Sequence, residues 1–192
     1  MGKKSEMFRT FLKVMSDDQL ETKKVIPNKY YKSFYDIDVD YLIKKGIINL
    51  IIDIDGTLLP VDDISVPKKL IDKIQVLINK NINICLMSNN SKQRVLPVAQ
   101  KLDVFYLYEA KKPLKEAFDN ALKILNVSNK ETVAMIGDQM LSDIKGANEY
   151  NIYSILVDPV SKRNKIQTKT QRILQDIIEK HLKKKNIFNK HS

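Results

Sequence analysis

The hexapeptide Asp53-Ile54-Asp55-Gly56-Thr57-Leu58 constrains this chain more than any other stretch. It follows Ile47-Ile48-Asn49-Leu50-Ile51-Ile52, a run with the length and composition of a fully buried strand. Two carboxylates two residues apart, just past such a strand, emerge at its carboxyl end, where open α/β sheets place their ligands. One carboxylate is placed to attack a phosphorus atom and the other to move a proton. Gly56 and Thr57 then turn the chain and offer donors to phosphate oxygens. The competing reading is a polar turn after a core strand, which uses the same residue types.

Downstream the pattern alternates. It predicts strands near 48–53, 82–87, 104–108, 132–137 and 152–158, separated by helices near 67–80, 91–102, 114–126 and 140–149. The helix at 67–80 opens on Pro67 and carries Leu70, Ile71, Ile74, Leu77 and Ile78 on one face. Five strands alternating with helices specify an α/β fold, a Rossmann-like doubly wound parallel sheet. Upstream, 27–40 is Tyr-rich and reads as partly helical, and Val39 to Lys45 reads as a short helix closed by Gly46. The pattern divides the chain into an amphipathic extension over 1–25, the α/β domain over 26–160, and a basic amphipathic helix and tail over 161–192.

Composition narrows the function classes. No apolar run approaches the roughly 18–20 residues that cross a bilayer. Phe8 to Met15 is too short for a secretory signal. A single cysteine, Cys85, precludes a disulfide framework and suits a reducing compartment. The two histidines, His181 and His191, lie in the tail, so a histidine mechanism has little support. The net charge of +10 is concentrated: 161–192 holds ten Lys/Arg against Asp176 and Glu179, or +8. Anionic lipid headgroups and nucleic-acid phosphates are the usual partners of such a tail. Its stripe of Ile166, Ile173, Leu174, Ile177, Ile178 and Leu182 equally suits a helix packed on the sheet with a solvated basic face. The N-terminal helix, with Phe8, Phe11, Leu12 and Met15, is open to the same two readings.

The alternation places three more polar clusters on strand ends. Ser88-Asn89-Asn90 opens a helix, as a phosphate cradle or as a plain cap. Lys111-Lys112-Pro113 sets a lysine at the next helix start, where it can neutralise phosphate and steady a carboxylate. Gly137-Asp138-Gln139 with Ser142-Asp143 supplies oxygen ligands of the kind Mg²⁺ prefers, although Asp143 also suits a helix cap.

The order of carboxylate pair, hydroxyl, lysine and metal carboxylates resembles the phosphatase branch of the haloacid dehalogenase superfamily. With Ile26-Pro27-Asn28-Lys29-Tyr30-Tyr31-Lys32-Ser33, Gly46-Ile47, Ala110-Lys111-Lys112-Pro113 and Gly146-Ala147-Asn148, it looks like the YqeG-type phosphatases. Those are similar to mitochondrial phosphatidylglycerophosphate phosphatases. The resemblance spans about Ile26 to Asp158, and Gly56 stands where this subfamily often has asparagine. It implies that Asp53 attacks phosphorus and that Asp55 protonates the leaving oxygen and later activates water. Lys112 would offset charge, with Thr57, Ser88, the Asn89 amide and Lys112 holding the phosphoryl group. Mg²⁺ would sit among Asp53, the Asp55 carbonyl, Asp138 and Asp143.

Only 34 residues separate Asp53 from Ser88, and 23 separate Ser88 from Lys112. Both gaps are consumed by one helix and one strand, so no cap domain fits. An uncapped site disfavours a small sugar phosphate and favours a large substrate. The expected function is therefore a Mg²⁺-dependent phosphatase of phosphatidylglycerophosphate. It would sit on the anionic inner face of the membrane from the cytoplasm, take a phosphorylated lipid, and need no obligate protein partner. The alternatives are a nucleic-acid end or protein phosphatase, and a binding module that has lost turnover. Against nucleic acid, the chain has no Arg-rich groove or aromatic stacking platform.

Overall fold

The computed structural model describes residues 3–161, 166–188 and 190. The chain enters through helices α1 (Lys3–Met15) and α2 (Gln19–Val25), strand β1 (Lys29–Tyr31), a 3-10 turn (Phe34–Asp36) and α3 (Val39–Lys44). Strand β2 (Asn49–Ile52) leads to α4 (Lys68–Asn79), β3 (Asn83–Met87), α5 (Lys92–Leu102) and β4 (Phe105–Leu107). Then come α6 (Lys115–Ile124), β5 (Val133–Gly137), a π-helical turn (Met140–Ile144), α7 (Lys145–Glu149), β6 (Tyr153–Val157) and α8 (Ile166–Lys184).

The sheet has six parallel strands in the order β1-β6-β5-β2-β3-β4. The five expected strands are present, and β1 is a correction to their number. Lys29, Tyr30 and Tyr31 pair with Ile155, Leu156 and Val157 at the sheet edge. Three residues with two tyrosines carry no period-2 signal, so this strand exists through its partner rather than its own pattern. The N-terminal helix stops at Met15, at the polar Ser16-Asp17-Asp18 turn expected to end it, and a second helix, not expected, starts after Asp18, whose carboxylate accepts from Leu20 and Glu21 N–H. The helix expected over 140–149 opens instead as a π-helical turn.

Side chains alternate across β2 as a doubly covered strand requires. Leu50 and Ile52 join a core with α3, α4 and α5, while Ile51 joins Phe118 and Ala121 of α6 on the opposite face. A third cluster unites Met7 and Val14 of α1, Val25 of α2, Leu141 and Ile144 of the π turn, Leu156 of β6, and Ile178 and Leu182 of α8. The two chain ends thus pack together beside β6. The tail stripe divides: Ile178 and Leu182 are buried, but Ile173 and Ile177 are exposed. The side chains of Ile166 and of the basic residues Lys162, Arg163, Lys165 and Lys169 lie outside the described residues, as does His191. No described helix is long and apolar enough to cross a membrane.

From β2 the chain builds β3 and β4 on one side, then returns to build β5 and β6 on the other. The reversal falls between β2 and β5, and the carboxyl ends of strands at such a switch point are where open α/β sheets place their ligands. No cap domain interrupts these connections.

Candidate active site

The ladder between β2 and β5 runs up to Asp53, whose N–H donates to the Ile136 carbonyl at 2.9 Å. There the chain folds back: Leu58 and Leu59 N–H both reach the Ile54 carbonyl at 3.0 Å. Gly56 takes φ +96°, and a Cβ on it would lie 2.4 Å from Asp138 Oδ2 and 2.7 Å from Arg172 Nη2. Glycine meets both demands. Any side chain at this position would require Asp138 and Arg172 to shift.

The loop after β4 delivers Lys112, 1% exposed, with Nζ 2.5 Å from Asp53 Oδ1 and 2.9 Å from Asp143 Oδ1. Asn89 braces that lysine: its Oδ1 accepts from Lys112 N–H at 2.7 Å and its Nδ2 donates to the Lys112 carbonyl at 3.3 Å. Thr57 Oγ1 lies 3.3 Å from Asp53 Oδ2 and 3.1 Å from Asp138 Oδ1. Asp143 accepts from Gln139 N–H at 3.1 Å and Ser142 Oγ at 3.0 Å. It packs against Gly137 so closely that a Cβ there would meet its carboxylate at 2.3 Å.

Burial and like charge dominate the electrostatics. Burial pushes the Asp53 pKa well above the usual carboxylate range; Lys112 opposes this, and Asp143, Asp138 and Asp55 add to it. Burial likewise raises Asp138 to about 6, against the lowering effect of Arg172. Burial alone would depress the Lys112 ammonium, but Asp143 and Asp53 reverse that and raise its pKa.

Asp53, Asp138 and Asp143 each offer an oxygen, and the three atoms lie within 4.8 Å of one another. Four buried carboxylates, counting Asp55, face three cationic side chains, Lys112, Arg94 and Arg172. All-oxygen donors with an excess of negative charge fit a hard divalent cation. The Asp55 side chain stands apart from that triad. Its Oδ1 accepts from Arg94 Nε at 2.8 Å, and its Oδ2 from Asn90 Nδ2 at 2.9 Å and Ser88 Oγ at 3.2 Å.

All eight residues singled out in the sequence therefore meet at the carboxyl ends of the strands: Asp53, Asp55, Thr57, Ser88, Asn89, Lys112, Asp138 and Asp143. Ser88 and Asn89 touch other site residues here, Asp55 and Lys112. His181 is elsewhere, on Asp17. Three contributors were not anticipated. Arg94, on α5, is also tied to the Pro60 and Asp63 carbonyls, at 2.8 and 2.6 Å. Arg172 and Gln175 of α8 hold Asp138 from the far end of the chain. Gln175 did leave a trace in the sequence, as a polar side chain among Leu174, Ile177 and Ile178. Arg172 looked like any other charge of the tail.

A family model described as HAD-hydrolase-like matches residues 109–180, which include Lys112, Asp138 and Asp143. "Probable phosphatase YqeG" of Bacillus subtilis is 29% identical over 163 residues, 85% of this chain and 94% of its own length. Among solved structures, an uncharacterised protein of Listeria monocytogenes aligns with a TM-score of 0.49 and 18% identity, covering 62% of this chain and 85% of its own. The cobalt-bound deoxy-D-mannose-octulosonate 8-phosphate phosphatase of Haemophilus influenzae aligns at 0.46 and 17%, covering 76% and 94%. Residues 109–180 are thus similar to the HAD-hydrolase-like family, and most of the chain is similar to a probable phosphatase, with the carboxylates, lysine and hydroxyls gathered in the order described.

Proposed function

We propose that the protein is a Mg²⁺-dependent phosphatase of phosphatidylglycerophosphate, working on an anionic membrane surface. The observation that carries this reading is an uncapped centre bordered by α8. That helix leaves Ile173 and Ile177 exposed, 38–52%, on the most basic part of the chain, and its neighbour α1 leaves Phe8 and Leu12 exposed beside it. A phosphate monoester at a bilayer surface reaches such a centre without being enclosed. Basic residues near an anionic surface contribute about 1 kcal/mol each. The similarity to YqeG supports the phosphatase chemistry and is silent on the substrate.

In the first step an Asp53 carboxylate oxygen bonds to phosphorus, the ester P–O bond breaks, and the leaving oxygen takes a proton from Asp55. In the second, Asp55 takes a proton from water as that water attacks phosphorus. The Asp53–phosphorus bond then breaks and inorganic phosphate leaves. Lys112 keeps its positive charge throughout and offsets the repulsion between Asp53 and a dianionic phosphate. Thr57, Ser88 and the Asn89 amide orient the phosphoryl oxygens. Asp53, the Asp55 carbonyl, Asp138 and Asp143 would hold Mg²⁺, which would supply further positive charge to the phosphoryl group.

The test is phosphate release from phosphatidylglycerophosphate in mixed micelles, beside a 5′-phosphorylated oligonucleotide, a phosphopeptide and an aryl phosphate, with Asp53→Asn as control. Preference for the lipid, lost in the variant, is expected. Turnover of the aryl phosphate or oligonucleotide without the lipid would overturn the lipid assignment and leave the chemistry standing. Release that survives Asp53→Asn would overturn the chemistry.

A further inference from the structure

The C-terminal helix reaches the centre with two side chains three residues apart, hence on one face of α8. Gln175, 5% exposed, grips the loop after β5 with both ends of its amide. Its Nε2 donates to the Asp138 carbonyl at 2.9 Å, and its Oε1 accepts from Met140 N–H at 2.9 Å. Arg172 donates through Nη2 to Asp138 Oδ2. Its Nε and Nη1 are buried and have no hydrogen-bond partner among the described residues. Neither residue has a part in the two chemical steps above.

We propose that α8 sets the cation affinity of the centre through two opposed contacts. Gln175 is a positioning residue that fixes the Asp138 loop, and Arg172 is a tethered positive charge that competes with the divalent cation for Asp138. The inference rests on Asp53, Asp138 and Asp143 being the cation site.

The opposition follows from charge and bonding. Asp138 is fully buried, so charges that meet on it are poorly screened by solvent or salt. Thr57 Oγ1 already lies 3.1 Å from Oδ1, and the guanidinium takes Oδ2. A divalent ion at that carboxylate therefore meets an arginine on the same group, and the two cations repel. The arginine is also incompletely satisfied, because buried N–H groups without partners carry a desolvation cost. It holds Asp138 less firmly than a fully bonded arginine would, which lets a divalent ion compete. Gln175 differs: both ends of its amide are bonded, and what they hold is backbone. Loss of such an outer partner of a metal ligand weakens binding by loosening the ligand.

The test is calorimetric titration of Mg²⁺ into the full chain without substrate, after circular dichroism and thermal unfolding establish that each variant folds. Arg172→Gln is expected to bind the ion about tenfold tighter, because a repelling charge is gone. Arg172→Lys, which keeps the charge, should stay near the wild-type affinity. Gln175→Ala should bind about tenfold more weakly. A helix that merely holds the body together would move both positions in the same direction or neither. Unchanged or weaker binding in Arg172→Gln would overturn the competing role, and unchanged binding in Gln175→Ala would overturn the clamp. Absence of Mg²⁺ binding by the wild-type chain, with Asp53-dependent phosphate release intact, would overturn the cation site and this inference with it while sparing the phosphatase reading.

Discussion

Arg94 Nε donates to Asp55 Oδ1 at 2.8 Å, and both side chains are about nine-tenths buried. The arginine is itself pinned by the Pro60 and Asp63 carbonyls, and the other Asp55 oxygen is taken by Ser88 and Asn90. A proton-moving carboxylate is effective only while it points at the leaving oxygen, and this fork leaves it little freedom. Arg94→Ala should lower kcat by about tenfold to a hundredfold with a smaller change in KM. Arg94→Lys should not restore it, because an ammonium cannot reproduce three directed bonds to different partners. Steady-state kinetics on both variants checks this; a change confined to KM would mean that Arg94 serves binding instead.

Asp53 gives a pH-dependent stability with a definite sign. Its folded pKa is raised, chiefly by burial and with neighbouring carboxylates adding, so between the unfolded value of 3.8 and that raised value the folded chain holds more proton than the unfolded one. Stability from this group therefore falls as pH rises through the window. Asp53→Asn should abolish turnover and yet raise the melting temperature in chelator at neutral pH. The gain should shrink as pH drops towards 4. A variant less stable than wild type at neutral pH would contradict the electrostatic account.

Lys112 carries the opposite burden. It is the shared cation of Asp53 and Asp143, and Lys112→Met leaves both carboxylates buried with one fewer counter-charge. Removing one partner of a buried ion pair typically costs about 3–5 kcal/mol, measurable by urea unfolding at neutral pH. Added Mg²⁺ should raise the melting temperature of the variant more than that of wild type, since a cation replaces part of the missing charge. Equal shifts would mean that lysine and cation do not share the same carboxylates.

Gly56 tests the crowding around Asp138. Gly56→Ala combines an unfavourable φ with a Cβ 2.4 Å from Asp138 Oδ2, at a cost of about 1–3 kcal/mol and with weaker Mg²⁺ binding. Thermal unfolding and calorimetry report the two effects separately. An alanine variant with wild-type stability would show that the loop relaxes freely.

The parts legible in the sequence were those whose signal is local. Strands β2, β3 and β5 lie within one residue of their expected limits because a short apolar run ended by a polar cluster is encoded in consecutive residues. The four strand-end clusters followed once those strands were placed, so Asp53, Lys112, Asp138 and Asp143 were found together. Arg94, Arg172 and Gln175 lie 39, 34 and 37 residues from the Asp55 or Asp138 atoms they hold, on helices whose polar residues look solvated in sequence. β1 escaped for a related reason: its pairing with β6 spans more than a hundred positions, and three residues carry no period of their own. The stripe of the tail was open to packing on the body or to an outside surface, and the structure divides it: Ile178 and Leu182 are buried, while Ile173 and Ile177 are exposed because the stripe of α8 is wider than the surface that covers it.

The most direct test of the central claim is to mix the chain with Mg²⁺ and a phosphate monoester that it turns over, quench in acid within the first turnover, and locate any covalent phosphate by mass spectrometry. A phosphoryl group on the peptide containing Asp53, absent from Asp53→Asn, is the predicted result. Turnover with no protein-bound phosphate, or with the label on another residue, would contradict it.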